Sequence, residues 1–220
     1  MKRALFLSLV LFSIMFLISA CKVVESLSPA APTLAPGTLI LSDDFSKTPN
    51  GWGTMDDVSG QISFLYEGLA IQVNLPNSMV RTVNGHRFTD TRIEVDAALL
   101  EGPSNDHFGV LCRYQDSSNY YAFVISHDGY FGIYKMVEGV ITLSEEKTNL
   151  DYSEAIRQGG VVNHISASCD GEILSLTVND TLLAEIQDSS FSEGQIGLVA
   201  TAYADPGVKV LFDNLEIYQP

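Results

Sequence analysis

Residues 120–135 have the sequence YYAFVISHDGYFGIYK, which is the clearest strand–turn–strand pattern in the chain. Apolar and aromatic residues dominate both halves, and Asp128-Gly129 between them is a pair typical of tight hairpin turns. The pattern predicts two antiparallel strands, Tyr120–Ser126 and Tyr130–Lys135. It therefore indicates a protein built from antiparallel β-sheet.

Short apolar runs separated by turn residues continue on both sides of this hairpin. The further strands predicted in this way are 61–67, 69–74, 89–100, 107–114, 140–143, 161–169, 172–178, 182–186, 194–202 and 208–218. No stretch has sustained helical periodicity, and the one candidate helical turn, Ser153–Arg157, is short. About a dozen strands in one domain predict an all-β fold of two stacked antiparallel sheets, a β-sandwich of jelly-roll form.

The N-terminus has the pattern of an export signal. Lys2 and Arg3 precede the apolar stretch Ala4–Ile18, which is shorter than the roughly 20 residues that span a membrane. The stretch ends in Ile18-Ser19-Ala20-Cys21, which resembles the lipobox of bacterial lipoproteins. That resemblance implies cleavage before Cys21 and lipidation of its thiol, which would anchor the protein in a membrane. A plain signal peptide and an uncleaved anchor helix are the alternatives.

The residues after Cys21 cannot build a core, and Pro29, Pro32 and Pro36 favour an extended, semi-rigid tether. We therefore expect a signal peptide at 1–20, a lipidated cysteine and a Pro/Ala/Ser tether at 21–37, and a β-sandwich domain at 38–220. The expected location is the cell envelope, with the domain lipid-anchored and facing outside the cytoplasm.

Charge and cysteine content narrow the partners and the compartment. The formal net charge of −15 argues against nucleic acid and anionic lipid head groups as partners, and leaves neutral ligands such as sugars open. Apart from Cys21 the chain contains Cys112 and Cys169, both in predicted strands. Outside the cytoplasm such a pair favours a disulfide, and two buried thiols are the alternative.

Several short strings of the domain match a known pattern when taken together. In chain order they are DDF at 43–45, GW at 51–52, FGVLCRYQD at 108–116, NYYAF at 119–123, DGYFGIYK at 128–135, NHI at 163–165, VN at 178–179, GQIGL at 194–198 and FDNL at 212–215. They resemble the concanavalin A-like lectin and glucanase superfamily, in particular laminin-G-like and 3-keto-disaccharide-hydrolase-like modules of bacterial lipoproteins. The resemblance implies adjacent terminal strands and a concave face made by the middle strands. It is specific for fold only, because the superfamily contains lectins, glycosidases, binding modules and spacers.

The resemblance also implies a structural calcium ion where the two terminal segments meet. Asp43, Asp44 and Asp213 are the matching positions, and carboxylate oxygens are the hard ligands that calcium takes. The alternative is that Asp213 and Asn214 only cap a turn or bulge.

Glucanases of this superfamily carry the motif Glu-x-Asp-x-(x)-Glu on one strand, which places two carboxylates on the same face. This chain has Glu94 and Asp96, but Ala98 and Leu99 stand where the third carboxylate belongs. Glu101 falls on the other face of a regular strand. The motif is incomplete, so we predict no catalytic residue and regard an enzyme as less favoured than a binding module.

Sugar-binding proteins stack aromatic rings on pyranose rings and reach the hydroxyls with polar side chains. The candidates for such contacts in the central strands are Arg113, Tyr114, Tyr121 and Tyr130, although strand alternation makes several tyrosines core residues. Trp52 is expected to be a packing anchor. The sequence thus favours a carbohydrate- or glycan-binding module. A protein-interaction or spacer domain and a glycoside-active hydrolase are the alternatives.

Overall fold

The computed structural model describes residues 34–46, 51–143 and 150–220. The predicted signal peptide, the predicted lipidation residue Cys21 and most of the tether lie outside these residues. The described ranges contain strands and turns and no helix. It follows that they include no helical segment that is long and apolar enough to cross a membrane.

Nine strands form the larger sheet. They are β1 (Leu39–Asp43), β2 (Met55–Asp56), β3 (Gly60–Leu65), β4 (Gly68–Val73), β6 (Thr91–Glu101), β12 (Asn163–Asp170), β13 (Ile173–Val178), β14 (Thr181–Gln187) and β16 (Val208–Tyr218). Their order is β14-β13-β12-β6-β16-β4-β3-β2, and β1 pairs with β16 beyond the end of β4. Leu39 lies opposite Tyr218 in an antiparallel ladder. The terminal strands are therefore adjacent, as predicted.

Seven strands form the smaller sheet. They are β5 (Ser78–Phe88), β7 (His107–Asp116), β8 (Asn119–Ser126), β9 (Tyr130–Val137), β10 (Val140–Leu143), β11 (Asp151–Tyr152) and β15 (Gly194–Ala202). Their order is β10-β9-β8-β7-β15-β5, and β11 pairs with one end of β9. The predicted hairpin is β8–β9, in which Ile125 lies opposite Phe131. All these pairings are antiparallel, which confirms the predicted all-β sandwich.

Side-chain alternation explains how each sheet contributes to the core. On β6, Ile93, Val95 and Ala97 are buried, while the intervening residues Arg92, Glu94 and Asp96 are half-exposed. The inner faces of the two sheets pack against each other, because this contact removes the apolar surface of both inner faces from water. The predicted sides of this strand are confirmed.

The two sheets are also joined covalently. Cys112 of β7 forms a disulfide with Cys169 of β12, so the predicted disulfide is confirmed and the bond crosses between the sheets. Trp52 is buried and packs edge-on against Phe45 with ring centroids 5.7 Å apart, which confirms its expected role as a packing anchor.

Two local predictions were wrong. Strand β5 was not predicted, because Asn84-Gly85 within it resembles a turn and the polar residues Thr82 and Asn84 are buried in it. The candidate helical turn Ser153–Arg157 is a non-helical turn closed by a bond from Ile156 N to Ser153 O. It is too short to pass the costly nucleation of a helix.

Candidate functional site

The outer face of the smaller sheet is apolar, which is unusual because the outer faces of a sandwich are normally solvated and polar. Strand alternation sends Phe123 into the core and its neighbours Ala122 and Val124 to the outer face. Together with residues of four other strands they form a second apolar cluster. Its buried members are Leu111, Tyr120, Ala122, Val124 and Val199, and Met79, Tyr114, Tyr134 and Met136 pack against them.

A depression with a volume of about 370 Å³ lies on this face. We call it the groove. Its apolar lining consists of Met79, Ala122, Val124, Met136, Ile141, Val199 and Ala202, and its polar and aromatic lining consists of Asn77, Ser78, His107, Tyr134, Thr201 and Tyr203. An apolar cavity with a few convergent polar groups is the usual form of a small-molecule site.

His107 organises one end of the groove. Its Nδ1 lies 2.6 Å from the Tyr203 hydroxyl and 3.4 Å from the Tyr134 hydroxyl. The Tyr203 ring stands perpendicular to the imidazole, with centroids 4.9 Å apart. His107 N donates to Thr201 Oγ1, and Thr201 Oγ1 donates back to His107 O, which holds β7 and β15 together here. The end therefore has a fixed geometry.

The groups at this end are uncharged at neutral pH. Burial lowers the pKa of His107 to about 4, and burial raises the pKa values of Tyr134 and Tyr203 above that of free tyrosine. The neutral ring can accept a hydrogen bond from the Tyr203 hydroxyl at Nδ1. In that tautomer the proton of the ring is on Nε2. Nε2 has no hydrogen-bond partner among the residues that the structure describes. It therefore has a proton that it can donate to an acceptor that reaches it.

Aromatic and basic side chains shape the other end of the same face. The rings of Tyr114 and Tyr120 stack with centroids 5.6 Å apart, and the Arg81 guanidinium lies 5.9 Å and 5.6 Å from their centroids. The Tyr120 hydroxyl donates to Met79 Sδ at 3.4 Å. A side pocket of about 330 Å³ lies here, lined by Arg81, Tyr114, Met79 and Ser59 among others. Met79 lines both this pocket and the groove, so the two are adjacent.

Two of the four predicted ligand-binding residues lie in the interior. Arg113 is 2% exposed and donates to Thr89 O, Phe191 O and Asp90 Oδ1 at 2.8–3.1 Å. Tyr121 is fully buried, and its hydroxyl donates to Asp188 Oδ1 at 2.6 Å. The structure does not place either side chain within reach of a ligand at the surface.

Of the other two predicted residues, Tyr114 is half-buried and Tyr130 is exposed, and neither lies at the centre of the groove. Tyr114 lies at the margin of the apolar face, beside Arg81. Tyr130 is 42% exposed, contacts Tyr152 edge-on at 5.6 Å, and is not part of the groove lining. The four predicted residues therefore do not form one site.

Glu94 and Asp96 lie on the outer face of the larger sheet, away from the groove. Asp96 contacts His164 Nδ1 at 2.9 Å and accepts a hydrogen bond from Asn214 Nδ2 at 3.0 Å. Glu94 pairs with Arg92 Nε at 2.8 Å. Both carboxylates therefore belong to a half-exposed polar network.

The aspartates predicted to bind calcium have other roles in the structure. Asp43 accepts hydrogen bonds from Phe45 N and Trp52 Nε1, and Asp44 accepts from Ser46. Burial, followed by the charges of Asp96, Asp44 and Glu67, raises the pKa of Asp213. In 34–46, 51–143 and 150–220 no group of at least three His, Cys, Asp or Glu side chains is arranged to hold a metal. The calcium site gains no support from this geometry and stays a prediction.

The sequence interpretation missed Met79, Arg81, His107 and Tyr203. The first two were missed with β5, although Met79, Arg81 and Val83 alternate with Val80 and Thr82 in the manner of a strand. His107 has no metal-ligand spacing to the other histidines of the sequence, so it gives no local signal of a site. No local signal marks Tyr203, because its contact with His107 joins residues 96 positions apart.

Comparisons with known proteins support the fold. No protein-family model matches the chain, and no curated protein is significantly similar to it. Among solved structures, the chain is similar to a carbohydrate binding module, CBM66, from Bacillus subtilis (20% identity, TM-score 0.60, covering 78% of this chain and 97% of that one). The Emp47p carbohydrate recognition domain is 15% identical with a TM-score of 0.56, covering 81% and 94%. The Bacillus licheniformis β-glucanase is 10% identical with a TM-score of 0.60, covering 84% and 99%.

These likenesses extend over most of both chains in each case. The chain therefore has the jelly-roll sandwich of concanavalin A-like domains, as its sequence resemblance implies. At this level of identity they establish the fold alone.

Proposed function

We propose that this protein binds carbohydrate in the groove on the outer face of the smaller sheet. The observation that carries the proposal is the lining itself. The partly exposed apolar side chains Met136 and Ile141 line the groove, and the phenols of Tyr134 and Tyr203 and the imidazole of His107 lie at one end of it. A sugar ring matches this lining, because its C–H faces are apolar and its hydroxyl groups form a polar rim.

The chemistry of the polar end suits neutral hydroxyl groups. His107 Nε2 and the hydroxyls of Tyr134 and Tyr203 are uncharged donors and acceptors, and their positions are set by contacts with one another. Hydrogen bonds of this kind fix the orientation of a ligand whose ring faces pack on apolar side chains. Two of the similar folds are described as a carbohydrate binding module and a carbohydrate recognition domain, which supports the same proposal.

The test is a titration of the purified full-length protein, in mild detergent, against a panel of neutral oligosaccharides by isothermal calorimetry. Tyr134→Ala removes a ring from the groove, and we expect a loss of affinity of about tenfold, since an aromatic contact with a desolvated ligand contributes about 1–1.5 kcal/mol. The matched control is Tyr130→Ala, because Tyr130 lies on the same strand but not in the groove lining.

Equal losses in the two variants would place the ligand elsewhere on β9. No binding across the panel would contradict the proposal and favour a protein partner for the same apolar face.

Repeating the titration with calcium and with a chelator tests the calcium prediction for Asp43, Asp44 and Asp213. An unchanged affinity and unfolding temperature would contradict it.

We also propose that a lipid on Cys21 anchors this domain outside the cytoplasm. The cross-sheet disulfide supports this, because such bonds persist in oxidising compartments. Expression in a bacterial host with a labelled fatty acid should label the wild-type protein and not the Cys21→Ser variant. Label retained in the variant, or a processed protein without lipid, would contradict the anchor.

A further inference from the structure

Arg81 is a cation without a counter-ion at the edge of the proposed binding face. In the part of the chain that the structure describes, no carboxylate lies within salt-bridge distance of its guanidinium. Its contacts are the Met79 sulfur, 3.5 Å from Nη1, and the faces of Tyr114 and Tyr120. This is unexpected in a chain with 27 acidic and 12 basic residues.

The other arginines of the sheets show what is usual in this protein. Arg87, Arg92 and Arg113 each pair with a carboxylate at 2.8–3.0 Å. Arg92 is the closest parallel, because it also lies over a tyrosine ring, that of Tyr218, at 4.7 Å. Its charge is balanced by Glu94, whereas that of Arg81 is not. Contact with aromatic rings attracts a cation but does not neutralise it.

The guanidinium is also held in position for a ligand. It lies over the rings of Tyr114 and Tyr120, and the bond from Nη1 to Met79 leaves Nε and Nη2 without a hydrogen-bond partner among the described residues. Ser59, which lines the same side pocket, bonds to Asp57 instead of Arg81. A planar fork of free N–H groups matches the two oxygens of a carboxylate.

The side pocket adjoins the groove, because Met79 lines both. Met79 lies opposite Thr201, which bonds to His107. Arg81 follows two residues later on β5, opposite Val199, so the polar end of the groove and Arg81 are separated mainly across the strands. A ligand that extends from His107 across β15 would thus bring its far end to the guanidinium.

We infer that Arg81 forms a subsite for the carboxylate of an acidic sugar, so that the groove selects oligosaccharides with a uronate residue at one end. The inference rests on the proposed carbohydrate function. A ligand with a single carboxylate fits better than a polyuronate, because the net charge of −15 repels a polyanion.

The experiment compares matched pairs of oligosaccharides that differ only in one terminal residue, glucuronate against glucose and galacturonate against galactose. At low ionic strength the wild-type protein should bind the acidic member of a pair about tenfold more tightly, the effect of one charge-assisted bidentate contact. Arg81→Gln should remove this preference while retaining affinity for the neutral member, and Arg81→Lys should retain part of it. Arg92→Gln, on the other sheet, is the control and should change neither affinity.

The outcomes separate the two proposals. If the wild-type protein binds neutral and acidic members equally, the carboxylate subsite is overturned and carbohydrate binding stands. If it binds no member of any pair or of the neutral panel, both are overturned. Should Arg81→Gln fail to fold, the wild-type preference still has to decrease as sodium chloride is added, because a carboxylate–guanidinium contact is screened. A preference that is insensitive to salt would overturn the subsite.

Discussion

The outer faces of the two sheets differ in a way that the strand pattern alone does not show. On the larger sheet the outward side chains are half-exposed and polar, for example Glu94, Ser166 and Thr177. On the smaller sheet Leu111, Val199 and Ala122 also point away from the core, yet each is at most 1% exposed. Neighbouring tyrosine and methionine side chains cover them.

An apolar outer face is a risk for a sandwich domain, because it favours association with other molecules. The strongly negative net charge opposes that association. The larger sheet shows that this chain can build an ordinary solvated face. The difference between the faces is therefore the reason to place a ligand site on the smaller sheet.

The largest expected effect on stability comes from a buried arginine of the smaller sheet, and an exposed arginine of the same sheet is its control. Arg113→Met removes the bonds to Thr89 O, Phe191 O and Asp90, and we expect the free energy of unfolding to decrease by about 3 kcal/mol. Urea denaturation measures this. The control Arg87→Met breaks an exposed pair with Glu193 and should cost less than about 0.5 kcal/mol.

The same two variants test the sequence prediction that Arg113 contacts a ligand. At temperatures where the Arg113→Met protein is folded, its affinity for oligosaccharide should equal that of the wild type. A loss of affinity without a loss of stability would return Arg113 to the binding site.

The sequence was sufficient for the fold because strand alternation and turn residues are local signals. The hairpin β8–β9, the alternation of β6 and the pairing of Cys112 with Cys169 all agree with the structure. The site was harder to predict, because periodicity separates two faces but does not say which one meets the other sheet. Tyr121 and Tyr120 are adjacent and equally buried, and only the packing shows that the first belongs to the core and the second to the outer cluster.

The second prediction concerns the polar end of the groove. The folded state lowers the pKa of His107 to about 4 by burial, against an unfolded value of about 6.5. The unfolded chain therefore binds the proton more readily, and the stability from the neutral histidine is complete above pH ~6.5 and lost as pH falls toward ~4. At pH 5 we expect a loss of about 2 kcal/mol relative to pH 7 from this group.

The measurement is the difference in unfolding free energy between pH 7 and pH 5 for the wild type and for His107→Gln. Asp106 has a pKa raised by burial and acts with the opposite sign, so only the difference between the two proteins isolates His107. The pH effect should be smaller in the variant by that amount. Equal pH effects would show that burial does not lower the pKa of His107.

The smallest effect tests the comparison of the two faces directly, with one isosteric exchange on each. Val199→Thr places a hydroxyl in the apolar outer cluster, among apolar neighbours. The free energy of unfolding should decrease by about 1–2 kcal/mol. Thr177→Val makes the reverse change on the outer face of the larger sheet and should stay within about 0.5 kcal/mol of the wild type. Both are measured by urea denaturation without ligand. If the two exchanges had equal effects, the outer face of the smaller sheet would be as solvated as that of the larger one. An apolar groove on the smaller sheet would then be contradicted.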